Sequence, residues 1–392
     1  MSRDLLVPRA LLRHPERFGG TPQGDFLRGV PVFSDARLIA LKPAFKTPTP
    51  SIVIPALTDA HCHLDKCHTI HRLGTVGGNL MQAIETQKRD KVNWTESDLR
   101  HRATRGLKEA QSSGCSTMRT HVDWGQDAHP PLSWSVLTEL AQDTEMHVQC
   151  AALIGIDQMA DPNFAATAAQ HVAQRNGVLG SFIMGHAETV AGVRQAFLMA
   201  ERFGLALDFH VDEGLGDFNG LEIIADIALE TLTQIPILCG HAVSLMDRTA
   251  EDFARIADKL ARADISICAL PTTNLYLQGR TTGTPDRRGI TKLQELREAG
   301  VQIVVASDNV GDAFCPTGAH DPMQALYIAT LGAHLDPPLD RWLSAITTDA
   351  RRALGLPPLH IETAPRHQLR LCKVSSIADL IAGRAAIVPF ET

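Results

Sequence analysis

Short apolar, β-branched runs alternate along the middle of the chain with longer segments whose apolar residues recur at helical spacing. Each run ends in a polar or ionisable residue before the next helical segment, which is typical of repeated βα units. Residues 96–113 form one predicted helix, since Gly114 follows as a stop signal. Eight runs are present, the number that a closed parallel barrel requires: 52–57, 115–120, 147–154, 179–184, 206–209, 235–239, 265–270 and 302–306.

The two ends of the chain show a different pattern. Short apolar runs near both termini, such as R-L-I-A-L and A-A-I-V-P-F, are broken by proline and glycine. We expect residues 1–50 and 360–392 to pair into one accessory β domain, joined to a barrel over 51–359 at the Pro-rich stretch 46–51. The predicted fold class is α/β, a (β/α)8 TIM-type barrel with a small accessory β domain built from both termini.

Composition narrows the class of partner. The chain has 44% hydrophobic and 21% charged residues, a net charge of -7 and no long run of Lys or Arg, so no nucleic-acid partner is expected. It has no apolar stretch of about 18 residues and no secretory signal, which predicts no membrane association and a cytoplasmic location. Eight scattered cysteines without a C-x-x-C pair are expected to be reduced. A small-molecule substrate is therefore favoured.

A histidine pair follows the first predicted strand. His61 and His63 alternate along an extended backbone, so both imidazoles would face one ion. With 17 histidines among 392 residues, one such pair is close to what chance provides. The position of the pair in the fold must therefore supply the specificity.

Other predicted strands end in residues of the same chemistry. His210, His241 and Asp308 lie at strand ends that meet His61 and His63 at the barrel face where active sites occur. Any one of them could be an ordinary hydrogen-bonded strand end, but their occurrence at four strands favours a site. Neutral imidazoles with one carboxylate suit Zn²⁺ or Fe²⁺, with Mn²⁺ as a further candidate. We predict one divalent ion per subunit, which generates a hydroxide nucleophile.

Nearby residues supply the remaining chemistry. Glu213, three positions after His210, is placed to shuttle a proton without binding the ion, although a solvated loop acid is the alternative. His241 would orient the hydroxide or stabilise developing charge, and Asp212 is interpreted as structural. His121 lies on the same rim, and its spacing does not indicate a ligand.

The fourth predicted strand bears on the number of ions. It ends in F-I-M-G-H at 182–186, which contains no lysine that could be carbamylated to bridge two ions. A single-ion site is therefore favoured.

Residues 52–356 resemble the amidohydrolase superfamily, in particular its cytosine deaminase-like branch. The segments N-L-Y-L-Q-G-R (274–280), R-R-G-I-T (287–291), S-D-N-V (307–310) and Pro316-x-Gly318 look like the region of strands 7 and 8 in that branch. The resemblance implies hydrolytic deamination of a cytosine-like N-heterocycle with release of ammonia, a place in pyrimidine metabolism and a homo-oligomer. By the same resemblance Glu213 is the proton shuttle, His241 is catalytic, and the metal ligands are His61, His63, His210 and Asp308.

Two departures leave the substrate open. In cytosine deaminases a glutamine after the third strand grips the pyrimidine. The corresponding position here falls near Ile154 and Gly155, so this substrate contact is missing. Lys66 and Asn309 are similar to residues of triazine-ring relatives such as N-isopropylammelide hydrolase. Hydrolysis of an N-alkylamino-triazine or a cyclic amide on the same site is therefore the alternative function.

Four residues are candidate substrate contacts: Lys66, Asn309, Trp124 and Gln278. Lys66 is equally interpretable as a salt-bridged loop residue and Trp124 as a core aromatic, and Gln278 could instead hold its loop. A non-catalytic metal-binding homologue is the third hypothesis, and the intact Glu213 and Asp308 argue against it.

Overall fold

The computed structural model describes residues 4–43, 50–285 and 287–390, so residues 46–49 of the predicted junction lie outside the described residues. Its strands form two sheets. They are β1 (Leu5–Pro8), β2 (Thr21–Gln23), β3 (Phe26–Ser34), β4 (Arg37–Pro43), β5 (Ser51–Pro55), β6 (Leu57–Cys62), β7 (Cys115–Asp123), β8 (His147–Gly155), β9 (Val178–Ile183), β10 (Leu207–Val211), β11 (Ile237–His241), β12 (Ile265–Ala269), β13 (Ile303–Val305), β14 (Leu369–Cys372) and β15 (Ile387–Pro389).

The strands from the two chain ends form one sheet in the order β15-β14-β5-β1-β3-β2, with β4 paired to β3. β5 runs parallel to β1 and antiparallel to β14, so it joins the N-terminal strands to the C-terminal ones. The prediction of an accessory sheet assembled from both termini is confirmed.

Strands β6 to β13 form an eight-stranded parallel sheet in which each strand pairs with the next. A bridge between Cys62 and Asp308 brings the last strand back to the first. The Asp308 N–H donates to the His61 carbonyl at 2.9 Å, and the Ser307 N–H donates to Asp59 Oδ1 at 3.0 Å. These contacts close the sheet, so the predicted (β/α)8 barrel is confirmed.

The predicted first barrel strand, residues 52–57, is wrong. The structure divides this apolar run at Ala56, whose N–H donates to the Gln368 carbonyl at 2.7 Å. Residues before Ala56 form β5 of the accessory sheet, and residues after it form β6 of the barrel. Residues 52–57 are buried on both sides of the division, so the apolar run continues across Ala56 and does not reveal the change of sheet. His61 consequently lies within β6 rather than after a strand.

Helices follow the barrel strands, and some of them begin or end at local capping signals. Asn79 and Gln82 form a capping box at the first helix, and Gly204 ends the sixth with a φ of 66°. No helix in the described ranges is long and apolar enough to cross a bilayer. The helices are α1 (Leu80–Asp90), α2 (Glu96–Ser112), α3 (Leu132–Asp143), α4 (Ile156–Met159), α5 (Pro162–Gln174), α6 (Thr189–Phe203), α7 (Gly220–Thr231), α8 (Ala250–Arg262), α9 (Pro271–Leu277), α10 (Leu293–Glu298), α11 (Pro322–Gly332), α12 (Thr348–Ala353) and α13 (Ile377–Ile381).

The barrel interior contains a fully buried ion pair. Arg119 of β7 donates from Nη1 to Asp208 Oδ2 of β10 at 2.7 Å, and neither side chain is exposed. The other guanidinium nitrogens donate to Gln149 Oε1 at 2.9 and 2.7 Å and to the Leu354 carbonyl at 3.2 Å. Asp208 Oδ1 lies 3.0 Å from His121 Nε2. The pair therefore connects the packed interior with a histidine near the barrel mouth.

Candidate metal and catalytic site

The strand ends at the barrel mouth bring four predicted ligands together. His63 Nε2 lies 3.2 Å from His210 Nε2 and 3.3 Å from Asp308 Oδ1, and His61 Nε2 lies 3.6 Å from the same carboxylate oxygen. Ligand atoms bound tetrahedrally at ~2.0–2.1 Å from one ion would be about 3.3–3.4 Å apart. The observed separations match that spacing, so this buried His/Asp cluster could hold a divalent ion.

The protonation state of the cluster also fits a metal site. Burial, followed by the charge of neighbouring groups, lowers the pKa of His61, His63 and His210 well below the ordinary histidine value. The rings are therefore neutral, the form that binds metals. Within the described part of the chain, neither ring nitrogen of His61 has a hydrogen-bond partner. Buried polar atoms are rarely left this way, which indicates a missing ligand.

His121 also belongs to this cluster, although its spacing in the sequence did not indicate a ligand. Its ring centroid lies 4.0 Å from that of His61, and its ligand atom lies within 4.8 Å of those of His61, His63 and His210. One signal was present in the sequence: Arg119 interrupts an apolar strand two residues earlier, and a buried arginine requires an acidic partner inside the barrel. That partner is Asp208, which also contacts His121.

Three non-glycine residues at the strand ends have left-handed backbones. The φ angles are 52° at Asp212, 71° at His241 and 61° at Asp308. Such conformations cost of order 1–3 kcal/mol each and concentrate at functional sites. Asp212 offsets its cost by accepting from the N–H groups of Gly220 and Leu221 at 3.1 and 3.0 Å, at the start of α7. Its role is therefore structural, as the sequence indicated.

Glu213 and His241 form a buried pair beside the cluster. Glu213 Oε2 lies 3.5 Å from His241 Nε2. Asn274 Nδ2 donates to His241 Nδ1 at 3.0 Å, which leaves the proton of the neutral ring on Nε2. Burial lowers the pKa of His241 to about 4 and, together with the negative charge of Asp308, raises the pKa of Glu213 well above its usual value. Asn274 is a second residue that the sequence analysis missed.

A cavity of ≈ 500 Å³ opens above this pair. Its inner end contains the catalytic candidates, and its walls are mainly apolar and aromatic, as in sites for small organic ligands. The residues that line it include His63, Lys66, Leu80, Ile84, Asp123, Trp124, Phe182, His210, Glu213, His241, Asn309 and Phe314.

Three of the four predicted substrate contacts line this cavity. Trp124 and Asn309 are buried in its wall, and the Asn309 amide donates from Nδ2 to Asp312 Oδ2 at 2.7 Å. Lys66 also lines the cavity and is held by Asp123. Gln278 differs, because its amide donates to the Glu213 backbone carbonyl and supports that residue from outside the cavity.

Lys66 forms a salt bridge and also lines the cavity. It is 3% exposed, and its Nζ lies 2.8 Å from Asp123 Oδ1 and 5.1 Å from the Phe314 ring centroid. Asp123 Oδ2 is also 3.1 Å from Lys91 Nζ. Despite its burial, the neighbouring carboxylates raise the pKa of Lys66, so its ammonium stays charged at the cavity wall.

Comparison with known proteins was consistent with this geometry. Residues 72–362 match the model of the amidohydrolase family. Pterin deaminase of Rhizobium rhizogenes is 35% identical over 313 residues, which cover 79% of this chain and 71% of that protein.

Solved structures share the fold across nearly the whole chain. The 5-methylcytosine deaminase of Klebsiella pneumoniae superposes with a TM-score of 0.81 at 22% identity, covering 98% of this chain and 94% of that one. The N-isopropylammelide isopropylaminohydrolase of Burkholderia multivorans gives a TM-score of 0.74 at 20% identity, covering 99% and 97%. The predicted superfamily is confirmed, and the chain belongs to the amidohydrolase family, as a hydrolase of carbon–nitrogen bonds.

Proposed function

We propose that this protein hydrolytically deaminates an aminated N-heterocycle, and that a fused two-ring substrate of the pterin type suits it better than a cytosine-type ring. The observation that carries the proposal is the buried Glu213–His241 pair at the inner end of the cavity, directly beside the histidine and aspartate cluster. This arrangement provides an acid–base group and a metal site on one side of a bound ring.

The preference for two rings has three supports. A cavity of ≈ 500 Å³ lies in the range used by drug-sized ligands and is larger than a single pyrimidine requires. The pterin deaminase is 35% identical to this chain, compared with 22% and 20% for the two solved structures described above. Aromatic walls from Trp124, Phe182 and Phe314 are suited to a flat fused ring.

His61, His63, His210 and Asp308 would hold the ion in this proposal. A bound divalent ion acidifies a coordinated water and so supplies the nucleophile. Asp208 contacts His121, and the His121 ring packs against His61 and so keeps the His61 imidazole in place. The backbone N–H of Asp308 on the His61 carbonyl fixes the carboxylate relative to the first strand.

Glu213 moves the protons. Burial and the negative charge of Asp308 raise the pKa of Glu213 well above its usual value, so its carboxylate holds a proton more tightly than an exposed glutamate does, as suits a general acid–base residue. Oε2 takes a proton from the attacking water and passes it to a ring nitrogen of the substrate. It then takes the second proton, from the hydroxyl group newly formed on the ring carbon, and passes it to the amine, which leaves as ammonia. Gln278 fixes the Glu213 backbone through its hydrogen bond to the carbonyl, which limits the movement of the shuttle.

His241 donates a hydrogen bond toward the oxygen that adds to the reacting carbon. Because Asn274 donates to Nδ1, the Nε2–H of the neutral ring points to the side where Glu213 lies. That donor stabilises negative charge as the tetrahedral intermediate forms.

The cavity wall offers complementary groups for a ring amide. Asp312 accepts from Asn309 Nδ2, so the Asn309 carbonyl oxygen remains available to accept from a ring N–H. Lys66 is charged and retains N–H groups beyond the one that Asp123 accepts, so it can donate to a ring carbonyl. Both contacts suit the lactam edge of an oxo-substituted heterocycle.

Removal of an alkylamine from a triazine is the second candidate function. Lys66 and Asn309, whose sequence context resembles triazine-ring relatives, both line the cavity, and the fold matches the N-isopropylammelide hydrolase. This reaction would use the same ion and the same Glu213 shuttle, but an alkylamine would leave in place of ammonia.

Amine release by the metal-loaded protein from pterin, cytosine and N-isopropylammelide separates these functions. We expect ammonia from pterin with the highest kcat/KM, loss of turnover in Glu213→Gln, and wild-type rates in Glu298→Gln, an exposed matched control. Preferred turnover of cytosine would support the place in pyrimidine metabolism, and isopropylamine release without ammonia would establish the second candidate. No turnover of any ring would refute the deaminase proposal. Metal analysis of the same protein identifies the ion among Zn²⁺, Fe²⁺ and Mn²⁺.

A further inference from the structure

A second cluster of metal-ligating residues lies apart from the candidate active site. Cys67 and His68 are in the loop after β6, and His320 is in the segment before α11. All three are buried, and one ligand atom of each lies within 4.8 Å of the others. Nothing in the proposed deamination uses them.

His320 is the strongest sign that this cluster binds a ligand. Its side chain is fully buried, and neither ring nitrogen has a hydrogen-bond partner among the described residues. Burial lowers its pKa to about 3, so the ring is neutral. Buried polar groups are rarely left unpaired, and a neutral imidazole with free nitrogens is a ready metal ligand.

His68 has the surroundings of a metal-binding histidine. Its Nε2 lies 3.3 Å from Glu109 Oε2 of α2, and a carboxylate contact of this kind commonly orients a histidine at a metal. The residue is held with a φ of 59°, and its backbone N–H donates to the Val310 carbonyl at 3.0 Å. The imidazole is thereby fixed beside His320, with ring centroids 6.1 Å apart.

Cys67 supplies a sulfur ligand. Its thiol lies 3.4 Å from the Leu64 carbonyl and 3.6 Å from the Arg102 carbonyl, and burial raises its pKa. A divalent ion overcomes that shift, because a coordinating thiol loses its proton. The positive charge of Arg102, which donates to the Cys67 carbonyl at 3.0 Å, also favours the thiolate.

We propose that Cys67, His68 and His320 form a structural site for one divalent ion of the zinc class, separate from the ion at the barrel mouth. Zn²⁺ prefers thiolate and imidazole ligands, and structural sites combine them. On binding, the Cys67 S–H bond is broken, the sulfur coordinates the ion, and the proton passes to solvent. Water would supply the fourth ligand, since the Glu109 carboxylate contacts His68.

A neighbouring combination of residues is less suitable. Asp59, Cys62 and His320 also approach one another. However, the two carboxylate oxygens of Asp59 accept from the N–H and the hydroxyl of Ser307, at 3.0 and 2.5 Å. Both carboxylate oxygens of Asp59 therefore already accept hydrogen bonds, whereas neither ring nitrogen of His320 has a partner among the described residues.

The proposed ion would connect three parts of the molecule. The loop after β6 carries Lys66, α2 carries Glu109, and the segment that ends at His320 begins next to Asn309. Two of these segments therefore contribute residues to the cavity wall. The site would fix the cavity wall from outside the barrel.

Cobalt substitution tests the site without measuring activity. The ligands at the barrel mouth contain no sulfur, so a thiolate-to-cobalt charge-transfer band reports only the second site. We expect wild-type protein to bind two ions per chain and to show this band. Asp308→Ala should lose one ion and keep the band, whereas Cys67→Ser and His320→Ala should lose one ion and the band. Cys150→Ser, a buried cysteine outside both clusters, should match the wild type.

The result that overturns the proposal can be obtained from the wild-type protein alone. One ion per chain after metal loading, with no charge-transfer band, would show that the second site does not exist. A band that survives Cys67→Ser but disappears in Cys62→Ser would also contradict the assignment. Neither outcome depends on whether the protein deaminates any ring, so the two proposals fail separately.

Discussion

Replacing Arg119 with methionine should destabilise the barrel strongly, because it leaves the buried carboxylate of Asp208 without its cationic partner. Arg119 and Asp208 are both fully buried, and their contact is 2.7 Å long. Removing one member of such a pair costs about 3–5 kcal/mol. The variant also deprives Gln149 Oε1 of its two donors, which adds about 1 kcal/mol. We therefore expect a loss of about 5 kcal/mol in the free energy of unfolding.

A double-mutant cycle separates this ion pair from packing. Asp208→Asn alone should also be strongly destabilised, because it leaves the Arg119 charge buried and unpaired. The double variant Arg119→Met/Asp208→Asn removes both charges and should be more stable than either single variant.

Urea denaturation followed by circular dichroism measures the four free energies. A coupling energy of about 3 kcal/mol or more is expected between Arg119 and Asp208. Additive losses, within about 0.5 kcal/mol, would refute the reasoning. Because Asp208 also holds His121 against His61, chelator competition should show that Asp208→Asn binds its ion about 10-fold more weakly.

Two further predictions concern buried polar contacts. Asn274→Asp should reverse the hydrogen bond to His241 Nδ1 and so move the ring proton away from Nε2. We expect kcat to fall by about 10²-fold or more, while circular dichroism shows an unchanged fold. An unchanged kcat would exclude the proposed tautomer. Burial raises the pKa of the Asp59 carboxyl from 3.8 to about 7, so the folded state binds this proton more tightly than the unfolded state does. The stability contributed by the protonated carboxyl is therefore lost as pH rises from about 4 to 7. Asp59→Asn should remove up to about 4 kcal/mol of that pH dependence in urea denaturation, and parallel profiles for the two proteins would contradict the assignment.

Much of the barrel and of its metal cluster could be predicted from the sequence. His210 and Asp308 end apolar runs, and a parallel barrel places all such ends on one face, so their convergence followed from topology. The split of residues 51–62 between two sheets did not follow, because strand hydrophobicity reports burial but not the partner strand.

The missed residues depend on contacts between distant segments. His121 lies in the cluster because Asp208, on a strand three further around the barrel, holds its ring. Asn274 donates to His241 from the helix that follows β12. It begins the N-L-Y-L-Q-G-R segment, but that segment alone did not indicate its contact with a histidine at the end of β11. Gln278 was expected at the substrate, but the fold turns its amide toward the Glu213 backbone.

The closure of the barrel by Cys62 and Asp308 also has a consequence for synthesis of the chain. His61 and Asp308 are separated by about 250 residues, and ribosomes add roughly 5–20 residues per second. A nascent chain therefore carries its first two imidazoles for roughly 12–50 s before the carboxylate emerges. The accessory sheet can form only later, because β5 pairs with β14, which is synthesised after Asp308. Stable metal loading should therefore occur only after the chain has been synthesised beyond Asp308 and the barrel has closed.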